Sequence, residues 1–169
     1  MLALNFVSFF NTVQRDEVWA KYKKRIQENF EVALIQFSAM HKHHIKCKNQ
    51  ISGWERLTCG YRGIGFNNGM PPKIRTKDTM GLSLKETVQD HVIGATLIGK
   101  TVSKEFTKQK FDIKFMVDKW LYKNLYLWST IRVTKEEHQV SNIARNSNTL
   151  KEKIKLKHYI SISELVSEE

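Results

Sequence analysis

Cysteine and proline are scarce: the 169 residues hold two of each, Cys47 and Cys59, and the adjacent Pro71 and Pro72. Two thiols cannot build the disulfide framework that staples small secreted domains. Long apolar runs are missing too. The opening stretch at residues 2–10, LALNFVSFF, falls well short of the roughly 20 residues that span a bilayer, and it has neither a basic leading segment nor a small-residue cleavage site. No membrane span or secretory leader is expected, and the expected compartment is the cytoplasm. Acid is the third shortage. Against 28 Lys and Arg stand 17 Asp and Glu, which leaves a formal net charge of +11. So large an excess attracts a polyanion and is costly to keep compact without one, so DNA or RNA is the first partner to consider. The remaining composition, 41% hydrophobic and 27% charged, is that of a folded globular chain and favours neither a disordered nor a membrane class.

Residues 16 to about 43 contain no Gly or Pro, and Trp19, Tyr22, Ile26, Phe30, Ala33, Phe37 and Met40 recur at three- and four-residue steps. That spacing predicts one long amphipathic helix, with Lys21, Lys23, Lys24 and Arg25 on a solvated face. Residues 53–72 hold five glycines, Asn67-Asn68 and both prolines, and so predict turns and short strands that form a hinge. Gly63-Ile64-Gly65 is not followed by Gly-Lys-Ser/Thr, which removes it as a phosphate loop. Further on, a strand is predicted over residues 87–93, helices over 102–108 and 112–122, and a strand over 125–134, LYLWSTIRVT. Thr134 and Glu137 have the spacing of a capping box, which starts a helix directly off that strand and puts His138 in its first turn. Asn142 follows one turn later on the same face, with Arg145 and Asn146 beyond. The basic segment 151–157, a β-prone HYISIS and an acidic tail expected to fray complete the chain.

Phosphodiester hydrolysis needs a base for water, a cation to stabilise the phosphorane and leaving oxygen, and groups to hold the phosphate. Asp90 and His91 supply a hard oxygen ligand and a base titrating near neutrality, while His138 supplies a second ligand. Adjacent strand residues diverge, so the reading requires His91 to face the phosphate and Asp90 to face His138 across the strand-to-helix junction.

A strand ending in Asp-His, an Asn-Leu, a second strand and a helix carrying His in its first turn together resemble the ββα-metal motif of HNH (His-Me finger) nucleases, and VTKEEH resembles phage-encoded members. The resemblance covers residues 87–148. It implies an α+β fold in which a ββα-metal nuclease core with a helical insertion follows a mainly helical N-terminal region (1–52) and a turn-rich connector with short strands (53–86), and precedes a basic extension (149–169). By resemblance His91 is the general base, Asn124 pins the loop, Asp90 and His138 hold one divalent metal ion, Mg²⁺ or Mn²⁺, and Asn142 is a further ligand or phosphate contact. Arg132, Lys135 and Arg145 are candidate nucleic-acid contacts. The expected activity is a DNA endonuclease, with RNA left open, in the cytoplasm of the host if phage-encoded; a monomer would nick and a homodimer would cut both strands. Two other readings stand beside it: a non-catalytic basic nucleic-acid-binding protein, and a nuclease built on Asp78, Lys85 and Glu86. His41, His43, His44, Cys47 and Cys59 are metal-capable, but their spacing fits a solvated helix end better than a zinc site.

Overall fold

The computed structural model describes residues 15–44, 55–66, 74–91, 93–144 and 165–167. The long helix is present as α1, Asp16–His44, with Asp16 and Glu17 in its first turn, where carboxylates favour the helix dipole. Ile26, Phe30, Ala33, Leu34 and Phe37 make its buried stripe. Phe30 lies at the centre, stacked on Trp120 at 6.2 Å and edge-on to Trp128 at 5.8 Å. Lys21, Lys23 and Lys24 are exposed as expected. Arg25 is not merely solvated: its guanidinium donates to the Gly65 carbonyl at 2.7 Å and lies 4.7 Å over the Phe66 ring. The start of α1 is tied across the chain, because the Tyr122 hydroxyl donates to Asp16 at 3.0 Å.

The glycine-rich connector departs from expectation. Glu55–Tyr61 is a π-helical segment packed against both α1 and α2, Ala95–Lys108, and contributes the fully buried Cys59. The reason lies in Gly60, where a Cβ would stand 2.6 Å from the Ala95 carbonyl oxygen; this glycine serves close backbone approach rather than a turn. The buried Trp128 indole donates to the Gly60 carbonyl at 2.7 Å and locks the same contact. Gly65, with φ of +81°, makes the turn that follows and lies against Asn29 of α1.

Among the described residues the sheet has four strands, β1 (Ile74–Thr76), β2 (Thr87–His91), β3 (Thr130–Thr134) and β4 (Leu165–Ser167), in the spatial order β2-β3-β1-β4. β2 and β3 are antiparallel, β1 runs parallel to β3, and β4 pairs antiparallel with β1. The acidic tail expected to fray thus contributes an edge strand at Leu165–Ser167, and the HYISIS segment lies outside the described residues. From β3 the chain enters α3, Lys135–Ala144, without a loop, and α3 packs back on β2 and β3.

Helices fill the interval between β2 and β3. Gly94 caps α2, which begins seven residues earlier than periodicity predicts. Asp112 caps the next helical turn by accepting from the Phe115 N–H at 2.9 Å. The helical run then continues through a π-helical turn, Met116–Trp120, an α turn, Leu121–Asn124, and a 3₁₀ turn, Leu125–Trp128. The predicted strand over 125–134 is therefore a strand only from Thr130. Leu125, Leu127 and Trp128 are all buried in the core, a pattern that does not alternate as a two-faced strand must. The architecture is α+β, and no helix among the described residues is long and apolar enough to cross a membrane.

Candidate functional site

Three hydrogen bonds fix where α3 begins. The Thr134 N–H donates to Glu137 Oε2 at 2.7 Å, the Glu137 N–H donates to Thr134 Oγ1 at 3.1 Å, and the buried Thr76 hydroxyl donates to Glu137 Oε2 at 2.8 Å. The first two are the reciprocal capping box read from the sequence, and the third, from β1, could not be read there. The box aims the next residue: His138 Nδ1 stands 3.5 Å from Asp90 Oδ1. The Asp90 side chain is only 1% exposed, whereas that of His138 is 26% exposed. A buried carboxylate is tolerated when it is paired or coordinates a metal, and this one meets an imidazole that reaches solvent.

The β2–β3 ladder stays in register through Asp90↔Ile131 and His91↔Thr130. Alternation therefore places Asp90 with Val88, Ile131 and Val133 on the face covered by α3. His91 joins Thr87, Gln89, Thr130 and Arg132 on the other face. Two contacts run along that second face, Gln89 Nε2 to Thr130 Oγ1 at 3.2 Å and an Arg132 guanidinium nitrogen to Thr87 Oγ1 at 3.4 Å. The structure brings Asp90 to His138 and leaves His91, itself 7% exposed, at the end of the strand on the opposite side.

The other candidates fare unevenly. Asn124 does not open a strand; it ends a helical turn, and its amide donates to the Trp120 carbonyl one turn back at 2.8 Å. It thus braces its own helical run, six residues before β3. Asn142 lies on α3, but its side chain and the whole of Arg145 lie outside the described residues. Lys135 is exposed at the first position of α3. It helps to hold the Glu86 carboxyl below its ordinary value, after the larger effect of hydrogen bonds from the Ser83 hydroxyl and N–H. Glu86 therefore closes a turn, and Asp78 and Lys85 are exposed. Of the histidine cluster, His41 packs on Phe37 and Phe111, and Cys59 is in the core, where burial pushes its thiol up to about 12. His43 is exposed, and Cys47 lies outside the described residues.

Among the described residues no three His, Cys, Asp or Glu side chains gather around one point. The donor set that does exist is one carboxylate oxygen and one imidazole nitrogen, 3.5 Å apart. An oxygen and a nitrogen donor this close could serve as two of the ligands of a divalent ion, and Asp90 and His138 are the residues that would hold it. Sequence reasoning missed Arg75, which sits in the three-residue β1 registered with Arg132. Its signal, an Arg inside a very short strand within a turn-rich connector, is too weak to read alone. Comparison with protein-family models, curated proteins and solved structures finds no match.

Proposed function

We propose that this chain is a divalent-metal-dependent endonuclease of the HNH (His-Me finger) class that hydrolyses DNA phosphodiester bonds. The observation that carries the reading is the contact of buried Asp90 with His138, delivered by a capped helix that springs from the second of two antiparallel strands. Asp90 and His138 are the residues that would hold Mg²⁺ or Mn²⁺, and the bound ion supplies positive charge where the phosphorane and the leaving 3′ oxygen accumulate negative charge. The His91 imidazole accepts the proton of the attacking water, which leaves 5′-phosphate and 3′-hydroxyl ends. Among the described residues β2 is an edge strand of the sheet, and it ends at His91, so its rim is where one phosphate can be approached by side chains from both faces. The Glu137 carboxylate acts as a positioning group by fixing the helix turn that presents His138. One such unit cuts one strand, so a monomer nicks.

A second reading, a basic nucleic-acid-binding protein without catalysis, is favoured by one observation: the formal net charge of +11 attracts a polyanion whether or not the chain cuts it. Supercoiled plasmid incubated with the purified chain in Mg²⁺, Mn²⁺ or EDTA separates the two. The nuclease gives metal-dependent nicked circles, and His91→Ala and Asp90→Asn each slow nicking by about 100-fold or more, the scale of a lost general base. Nicking by His91→Ala at the parent rate removes His91 as the base. Salt-sensitive binding that survives EDTA, with no cleavage in any metal, establishes the second reading.

A further inference from the structure

We infer that Arg75 and Arg132 form a two-guanidinium cradle for a backbone phosphate of DNA, on the face of the sheet that carries His91. The inference rests on the proposed action on DNA and adds the place where the substrate strand is gripped. β1 and β3 are parallel neighbours with Arg75 registered against Arg132, so both side chains leave the sheet on the same face from strands about 4.8 Å apart. On β2, Gln89 is registered against Arg132 from the other side, which makes a row of Gln89, Arg132 and Arg75 across three strands. His91 and Thr130 lie one alternation further along the same face.

The composition of that face points to an anion. Its residues on β1 to β3 are Arg75, Thr87, Gln89, His91, Thr130, Arg132 and Thr134, with no acid among them, while Asp90 and Glu137 serve the opposite side. Both arginines are half-buried, so their stems are held by the sheet, and the Arg132 guanidinium is oriented by its contact with Thr87 Oγ1. Guanidinium forks match phosphate oxygens in pairs, which a single surface lysine does not. Arg132 itself stands one diagonal, roughly 7–8 Å along the sheet, from His91.

The test is binding in EDTA, where cleavage plays no part. Fluorescence anisotropy of a short labelled DNA duplex is measured from low to moderate salt for the full chain and for R75Q, R132Q and the double variant. Each single change is expected to weaken binding by about tenfold, and the double variant to flatten the log–log salt slope by about 0.9, one phosphate's worth. The double Arg75→Lys, Arg132→Lys variant keeps the charge; it is expected to hold the parent slope while binding several-fold more weakly, and it guards against a Gln variant that fails to fold. Parent affinity and slope in both double variants overturn the cradle, and a slope change near 1.8 assigns the arginines to two separate phosphates and overturns it as well. The outcomes stay distinct from those of the nuclease reading. Weakened binding in a protein that never cleaves keeps the cradle and removes the enzyme, whereas His91-dependent nicking with unchanged binding in the Gln variants keeps the enzyme and removes the cradle.

Discussion

Glu137 is the residue whose loss should tell most about how the site is built. Its Oε2 accepts from the Thr134 N–H at 2.7 Å and from the Thr76 hydroxyl at 2.8 Å, so one carboxylate joins β1, the end of β3 and the first turn of α3. Glu137→Ala removes two hydrogen bonds to a charged acceptor and leaves the Thr76 hydroxyl, on a residue 2% exposed, without that acceptor. Bonds to charged groups are worth about 1.5–3 kcal/mol each, and discounting for the half-exposed side chain leaves an expected cost of about 2–4 kcal/mol. For a domain of this size that is a fall in Tm of roughly 5–15 °C. Thr134→Ala breaks only the hydroxyl half of the box, the bond from the Glu137 N–H at 3.1 Å, and is expected to cost about 1 kcal/mol. Glu137→Gln retains a carbonyl acceptor and falls near the smaller value. Urea denaturation of the three variants gives the ranking, and Mn²⁺ titration by calorimetry shows whether the ion site goes with it, since His138 is the next residue in the chain. Equal urea midpoints for Glu137→Ala and Thr134→Ala would refute the claim that the Thr76 contact anchors the helix start.

Two further predictions concern the buried connector. Gly60→Ala places a Cβ 2.6 Å from a backbone oxygen of Ala95, so it is expected to cost about 1–3 kcal/mol by overpacking; Gly94→Ala, where no atom lies within 4 Å, should cost less than about 1 kcal/mol, and coincident urea midpoints would remove the close approach. Burial raises the Cys59 thiol from 9.0 to about 12, so the folded state keeps its proton longer than the unfolded chain does. The stability this contributes is complete below pH 9 and is lost as pH rises toward about 12. In a Cys47→Ser background, Cys59 should resist an aromatic disulfide reagent at pH 8 in the native state and react fully in denaturant; rapid native labelling would contradict its burial.

What could be read from the sequence follows from which forces act locally. α1 was legible because Ile26, Phe30, Ala33 and Phe37 repeat with the helical period and nothing interrupts them, and all four are buried. The start of α3 was legible because a capping box is a four-residue device whose donors and acceptors lie within the box. Glu55–Tyr61 was not, since its glycines read as turn signals when Gly60 is there to admit the backbone of Ala95, a residue 35 positions away. Leu125–Trp128 failed for a related reason. Aromatic and aliphatic residues fit a strand by preference, but tertiary burial of Leu125, Leu127 and Trp128 selected a 3₁₀ turn. The strand pairing of Leu165–Ser167 with β1 joins segments almost 90 residues apart, and no local pattern encodes it.

The site divides along the same line. Residue types at Asp90, His91 and His138 suggested the chemistry, and the capping box correctly brought His138 to Asp90, yet the face on which each strand residue lies was set by the ladder with β3. A one-residue slip of that ladder would exchange the faces, placing His91 under α3 and Asp90 on the face of Thr130 and Arg132, so register is what assigns roles to the Asp-His pair. Asp90 is opposite Ile131 and shares its face with Val88 and Val133, and a slip of β2 would take Val88 away from Val133 and onto the face of Thr130 and Arg132, which favours the observed register. On the proposed reading the sheet therefore separates two tasks. The α3 side holds the ion through Asp90 and His138, the opposite side grips phosphate through Arg75 and Arg132, and His91 at the end of the edge strand is where the two meet. Such a division requires that substitutions on the α3 side change metal affinity without changing DNA affinity in EDTA, and that substitutions on the arginine side do the reverse.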